Sequence, residues 1–172
     1  MDQNNRCPEI TDEVKKSWPR ARSTRSSGGV AFRRASDGGP IEVALIATRG
    51  GARWQLPKGS REAGELSIQT AVREVEEEVG LKTEPVRFLE AIEFWYWDTY
   101  RKEPAELVHK MVDFFLLRII GGELSDESHE VDGVAWFTIG QAEDVLTFDG
   151  ERRVIGLAIA ALKEQGLLSM TS

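Results

Sequence analysis

Glu74, Glu77 and Glu78 stand at positions i, i+3 and i+4 of one stretch, and Gly80 follows two residues later. If the stretch between Ser67 and Gly80 is helical, that spacing puts three carboxylates on one face within about one turn. Ile68, Val72, Val75 and Val79 form a separate apolar stripe that would bury against a core. Ser67 is placed to cap such a helix, and Gly80 to end it in the left-handed conformation. Taken alone, the helix resists this arrangement. Like charges at this spacing repel by a few tenths of a kcal/mol per pair. An acid in the last turn also faces the negative end of the helix dipole, at a cost of roughly 0.3–1 kcal/mol. A local rule broken repeatedly in one turn points to function, and a bound divalent cation is the simplest compensation. Clustered carboxylates are hard oxygen donors that suit Mg²⁺ or Mn²⁺ and serve zinc or copper poorly. The competing reading is a solvated acidic face, the default for a Glu-rich surface helix.

The wider spacing separates the two readings. Gly59, five residues, Glu65, seven residues, then Arg73-Glu74-Val75-Glu76-Glu77-Glu78-Val79-Gly80-Leu81 resembles the Nudix box at every fixed position. Leu56-Pro57-Lys58 resembles the run that often precedes it. The resemblance implies an α/β fold, an α/β/α sandwich around a mixed β-sheet. It implies a hydrolase of phosphoric anhydride bonds in a nucleoside diphosphate carrying a further group. It implies Mg²⁺, with Mn²⁺ as a substitute, as two or more ions. By the same resemblance Glu77 and Glu78 are the strongest metal ligands, Glu74 is next, and the Gly59 carbonyl contributes. Glu65 and Arg73 match positions that support the loop and helix, and Arg73 orients the glutamates around it. Glu76 falls at a variable position and has no assigned role. The general base varies in position across the family. Glu130 in the loop before Val134 is the first choice here and Glu127 the second, each weighed equally against an ordinary exposed acid. The catalytic set is thus Arg73, Glu77, Glu78 and Glu130.

Within the family, the Trp54–Gly59 lead-in, the Phe94-Trp95-Tyr96-Trp97 run and the Lys110…Phe114-Phe115-Leu116 strand resemble the bacterial and archaeal diadenosine polyphosphate hydrolases. The likeness extends weakly from about residue 26 to the final helix. It implies diadenosine tetraphosphate or a related dinucleoside polyphosphate as substrate. Trp95 and Tyr96 would stack on adenine, and Lys58 and Lys110 would hold the phosphate chain. The alternative is a nucleotide-pool pyrophosphatase acting on (d)NTPs, oxidised ones included. ADP-ribose and diphosphoinositol phosphates rank lower. A nucleotide sensor without catalysis is a third class, disfavoured because every box glutamate is retained.

These residues need a scaffold. At 172 residues the chain suits one domain with a substantial core. A flexible segment, residues 1–24, is expected to precede a domain over 25–172, with Trp18-Pro19 as an anchor candidate. The net charge of −7 argues against a nucleic-acid polymer, which needs a basic footprint. It leaves a small nucleotide as the partner. One cysteine excludes an internal disulfide. No apolar run is long enough to span a bilayer, so a cytoplasmic protein without a membrane partner is expected. Strands are expected over 28–33, 42–48, 86–97, 109–119 and 134–137, and helices between the Ser67 cap and Gly80, over 139–146 and over 151–165. Apolar residues on both sides of 109–119 predict a central strand. Alternation puts Trp95 and Trp97 on one face of their strand and Phe94 and Tyr96 on the other, so one pair should pack and one remain available.

Overall fold

A computed structural model describes residues 7–169. The outermost residues of the expected lead-in, 1–6, lie outside the described residues, as do 170–172. In chain order the elements are α1 (Asp12–Ser17), β1 (Ala21–Arg34), β2 (Ile41–Thr48), β3 (Arg53–Gln55), β4 (Lys58–Ser60), α2 (Ser67–Val79), β5 (Leu81–Asp98), β6 (Glu106–Gly122), β7 (Gly133–Thr138), α3 (Ile139–Val145) and α4 (Asp149–Glu164). They fall into two compact units, a larger one of residues 26–92 with 112–169 and a smaller one of 7–25 with 93–111.

The larger unit is built on a seven-stranded mixed sheet of order β3-β2-β1-β6-β5, with β4 paired to β1 and β7 to β2. Its strands are apolar on both sides, and two cores result. Val30, Phe32, Val43, Leu45, Phe114 and Leu116 pack with Ile139, Leu146, Val154, Ile155 and Leu162 from α3 and α4. Ala31, Ala44, Ile46 and Leu117 pack with Ala71, Val75 and Val79 from α2. Alternation along each strand sends neighbours to opposite cores, which makes the three-layer α/β/α sandwich the sequence led us to expect. The strand apolar on both sides, β6, does lie inside the sheet, between β1 and β5.

Two short strands had no local signal. Arg53–Gln55 and Lys58–Ser60 read as loop and lead-in, yet they pair with β2 and β1, with Ser27 opposite Gly59. Pairing, which is non-local, makes them strands. Ser67 is not the cap of α2. Leu66 holds that position, and its N–H donates to Gln69 Oε1 at 2.8 Å. Ser67 Oγ instead donates to Asp113 Oδ2 at 2.5 Å and lies 2.8 Å from Ser27 Oγ.

In the smaller unit, the stretch expected to be a flexible lead-in carries α1, and β1 already begins at Ala21. Trp18 Nε1 donates to the Ala105 carbonyl at 2.7 Å, and its ring meets Trp97 edge to face at 4.6 Å. Trp97 Nε1 reaches the Pro8 carbonyl at 3.1 Å. Arg22 and Lys102 both bond Glu106 and Asp98. Among the described residues no helix is long and apolar enough to cross a membrane.

The sharpest local constraint on the site is the end of α2. Gly80 closes that helix at φ +79, with its N–H on the Glu76 carbonyl at 2.9 Å, and a Cβ there would run into the Glu123 carbonyl. Gly80→Ala should therefore cost about 2 kcal/mol or more, from left-handed strain plus the clash. Gly140→Ala, in open space on α3, should be neutral or stabilising by up to about 1 kcal/mol. Urea denaturation of both variants checks the contrast.

Candidate active site

Helix α2 presents its acids unevenly. Glu74 is 7% exposed and Glu78 5%, whereas the Glu77 side chain is 57% exposed. The three do not share one environment, because the face that buries Val75 and Val79 also carries Glu74 and Glu78 under the β4 segment. Glu130 completes the cluster from the loop before β7. One carboxylate oxygen from each of Glu74, Glu78 and Glu130 lies within 4.8 Å of the others. Glu127, the second candidate base, does not join that group; its N–H donates to Ser125 Oγ at 3.3 Å.

Each buried acid has one donor group from its surroundings. The Lys58 N–H donates to Glu78 Oε2 at 2.9 Å. Arg73 Nη1 donates to Glu74 Oε1 at 2.9 Å and to Glu77 Oε2 at 3.0 Å. The remaining guanidinium nitrogens of Arg73 bond Glu65, through Nε at 2.8 Å and Nη2 at 2.9 Å, and Nη2 also reaches the Ser60 carbonyl at 2.9 Å. Arg73 thus ties the loop before α2 to the helix, and the contact holds Glu65 down to about 2. Gly59 lies against Glu74, where a Cβ would overlap the carboxylate. Any larger residue here would displace that carboxylate from its place in the cluster.

Burial first, and then the charges of Glu74 and Glu130, push Glu78 up to about 8 against the pull of the Lys58 amide and ammonium. Burial also raises Glu74, opposed by Arg73. Two buried carboxylates side by side, with an exposed third, are short of positive charge. A hard divalent cation fits this donor set. Glu74, Glu78 and Glu130 would hold it, with Glu77 beside them on the solvent side. A bound cation there supplies charge neutralisation and Lewis-acid polarisation for a phosphate group.

The other sequence candidates are placed differently. Lys58, expected on the phosphates, has its side chain 15% exposed, with Nζ donating to Gln55 Oε1 at 2.9 Å and lying 3.6 Å from Glu151 Oε2. Sequence reading passed over Glu151, since one glutamate in the first turn of an amphipathic helix gives no signal. Trp95, Tyr96 and Lys110 belong to the smaller unit. There the Trp95 ring stacks on His109 at 4.3 Å and 10°, with Lys15 Nζ 5.3 Å from its centre. His109 Nε2 in turn pairs with Glu93 Oε2 at 2.9 Å. Tyr96 lies on the opposite face with Phe94, and both are exposed. The accessible aromatic pair is therefore Phe94 and Tyr96, not Trp95 and Tyr96.

A sandwich of this topology with the box glutamates gathered at the helix and loop defines a class of protein, and comparison with known proteins agrees. The profile described as NUDIX domain matches residues 25–155. The chain belongs to the Nudix hydrolase family. It is 39% identical to the protein named "Putative mutator protein MutT4" of Mycobacterium tuberculosis, over 81% of this chain and 59% of that one. It is 30% identical to the 8-oxo-(d)GTP phosphatase of Mycolicibacterium smegmatis, over 90% of this chain and 46% of that one. The chain thus spans about half the length of these curated relatives. Among solved structures, a C. elegans Ap4A hydrolase binary complex superposes with a TM-score of 0.62 at 23% identity, covering 82% of this chain and 98% of that one; that likeness speaks to the fold.

The raised Glu78 gives a pH test in metal-free protein. Its proton is held to about 8 when folded and to an ordinary value near 4.5 when unfolded. Stability from this group is therefore complete below about 4.5 and is lost as pH rises through 8, at about 1.4 kcal/mol per pH unit at most. The melting temperature without metal should fall from pH 5 to pH 8.5. Added Mg²⁺ should suppress the fall, and Glu78→Gln should flatten it. Differential scanning calorimetry at fixed ionic strength reads all three.

Proposed function

We propose that this chain hydrolyses a phosphoric anhydride bond in a nucleoside diphosphate derivative, dependent on Mg²⁺ or Mn²⁺. The observation that carries this reading is the Glu74–Glu78–Glu130 cluster, whose ligand atoms lie within 4.8 Å of one another while two of the three side chains are buried. The chain's own groups have distinct tasks. Glu74 and Glu78 would hold the cation, and the Lys58 amide and Arg73 fix the positions of these two carboxylates. Glu130, the exposed member of the cluster, would serve either as the cation's third ligand or as the base that takes the proton of the attacking water. Glu77 and Arg73 form the solvent-side rim of the cluster.

For the substrate, a nucleoside triphosphate of the nucleotide pool is the leading class, with an oxidised purine triphosphate the first compound to test. The relatives named for mutator and 8-oxo-(d)GTP activity support it over most of this chain's length. A dinucleoside polyphosphate such as diadenosine tetraphosphate is the second reading. The resemblance of the Trp54–Gly59 lead-in, the Phe94-Trp95-Tyr96-Trp97 run and the Lys110…Phe114-Phe115-Leu116 strand to the diadenosine polyphosphate hydrolases supports it.

Product chromatography after incubation with Mg²⁺ and a nucleotide panel separates these readings. Conversion of 8-oxo-dGTP or another triphosphate to a lower phosphate, far faster than diadenosine tetraphosphate, supports the first. Release of ATP plus AMP from diadenosine tetraphosphate at the higher rate selects the second. Nucleotide binding with no product from any compound would leave a sensor. Glu78→Gln should abolish turnover with the fold retained by circular dichroism. Glu130→Gln should lower kcat at least tenfold, as expected for loss of a base or ligand.

A further inference from the structure

The two carboxylates of α2 are held by a segment that is itself held from the far side of the sheet. Glu151, in the first turn of α4, is 3% exposed. Its Oε1 accepts the Leu56 N–H at 2.5 Å, and its Oε2 lies 3.6 Å from Lys58 Nζ. Leu56 is fully buried. Two residues further on, the Lys58 N–H bonds Glu78, and Gly59 lies against Glu74. The first turn of a helix favours an anion by up to about 1 kcal/mol. Burying a carboxylate costs several times that, and an apolar residue of similar volume is commonly as stable or more so. Helix packing alone does not explain an acid here.

We infer that Glu151 is a positioning residue for the acid cluster: by gripping the backbone at Leu56 and the side chain of Lys58, it fixes where the Lys58 amide and Gly59 meet Glu78 and Glu74. The metal-affinity consequence rests on the cluster's being a cation site; the backbone consequence does not. Cation affinity is sensitive to groups that orient the ligands, with losses of about 10–100-fold when one is removed. A simpler role, a counter-charge for Lys58, makes the opposite prediction for two variants. Glu151→Asp keeps the charge and loses the reach by one methylene. Glu151→Gln keeps the reach and an acceptor oxygen and loses the charge.

The test is Mn²⁺ titration calorimetry on the full chain, with amide hydrogen exchange at Leu56 and Lys58 in metal-free protein. Positioning predicts that Glu151→Asp weakens Mn²⁺ binding about tenfold or more and exposes both amides, while Glu151→Gln stays within about threefold and keeps them protected. Leu162→Ala, a core truncation elsewhere on α4, should lower the melting temperature without weakening Mn²⁺ binding. The reverse order of the two Glu151 variants, or both matching wild type, overturns the inference. If wild type binds no Mn²⁺, the cation reading fails instead, and amide exchange still decides the role of Glu151. Should Glu151→Asp not fold, exchange in Glu151→Gln decides: protection kept at Leu56 supports positioning, and protection lost overturns it.

Discussion

Two carboxylates buried side by side, Glu74 and Glu78, set the terms for everything around them. A pair of acids withdrawn from water repels itself and favours protonation. The structure limits that cost with one backbone N–H on Glu78 and one guanidinium on Glu74, and the proposed cation would offset the remainder. This also explains why the pair sits at the sheet end of α2 and not on its open face. Only there can Val75 and Val79 bury on the sheet while a paired strand offers an amide to the neighbouring acid.

The β4 segment is the hinge between backbone architecture and chemistry. Its pairing with β1 places Gly59 opposite Ser27 and close against Glu74. Its first residue donates to Glu78 through the main chain, a contact that no substitution at residue 58 other than proline removes directly. Arg73 secures the other flank. Its three nitrogens reach Glu62, Glu65, Glu74, Glu77 and Ser60, so a single planar group spans the loop and the helix. Lysine, with one nitrogen, could not hold this many partners in fixed directions.

The smaller unit follows a different logic. Three tryptophans and a four-member ion network order residues 7–25 with 93–111. Burying a tryptophan ring and satisfying its N–H together make a strong local anchor. The same packing uses up Trp95 against His109 and leaves Phe94 and Tyr96 exposed. Strand alternation foretold the division into pairs, but not which pair would be covered, since that depends on what lies across the strand.

The sequence by itself determined the class. The box spacing, the apolar stripes and the strands with apolar residues on both sides specified a three-layer fold with a carboxylate cluster, because helix and strand periods turn residue spacing directly into faces. Tertiary structure decided the rest. It buried Glu74 and Glu78 but left Glu77 in solvent, a difference of one position on a helix that only the opposing strand can set. It brought Glu130 to the cluster and not Glu127, two acids that look alike in a polar loop. It turned Lys58 toward Gln55 and Glu151, and it brought Glu151 to a segment 95 residues away in the chain. None of these contacts has a local signal, because each depends on where the chain returns and not on what stands beside it.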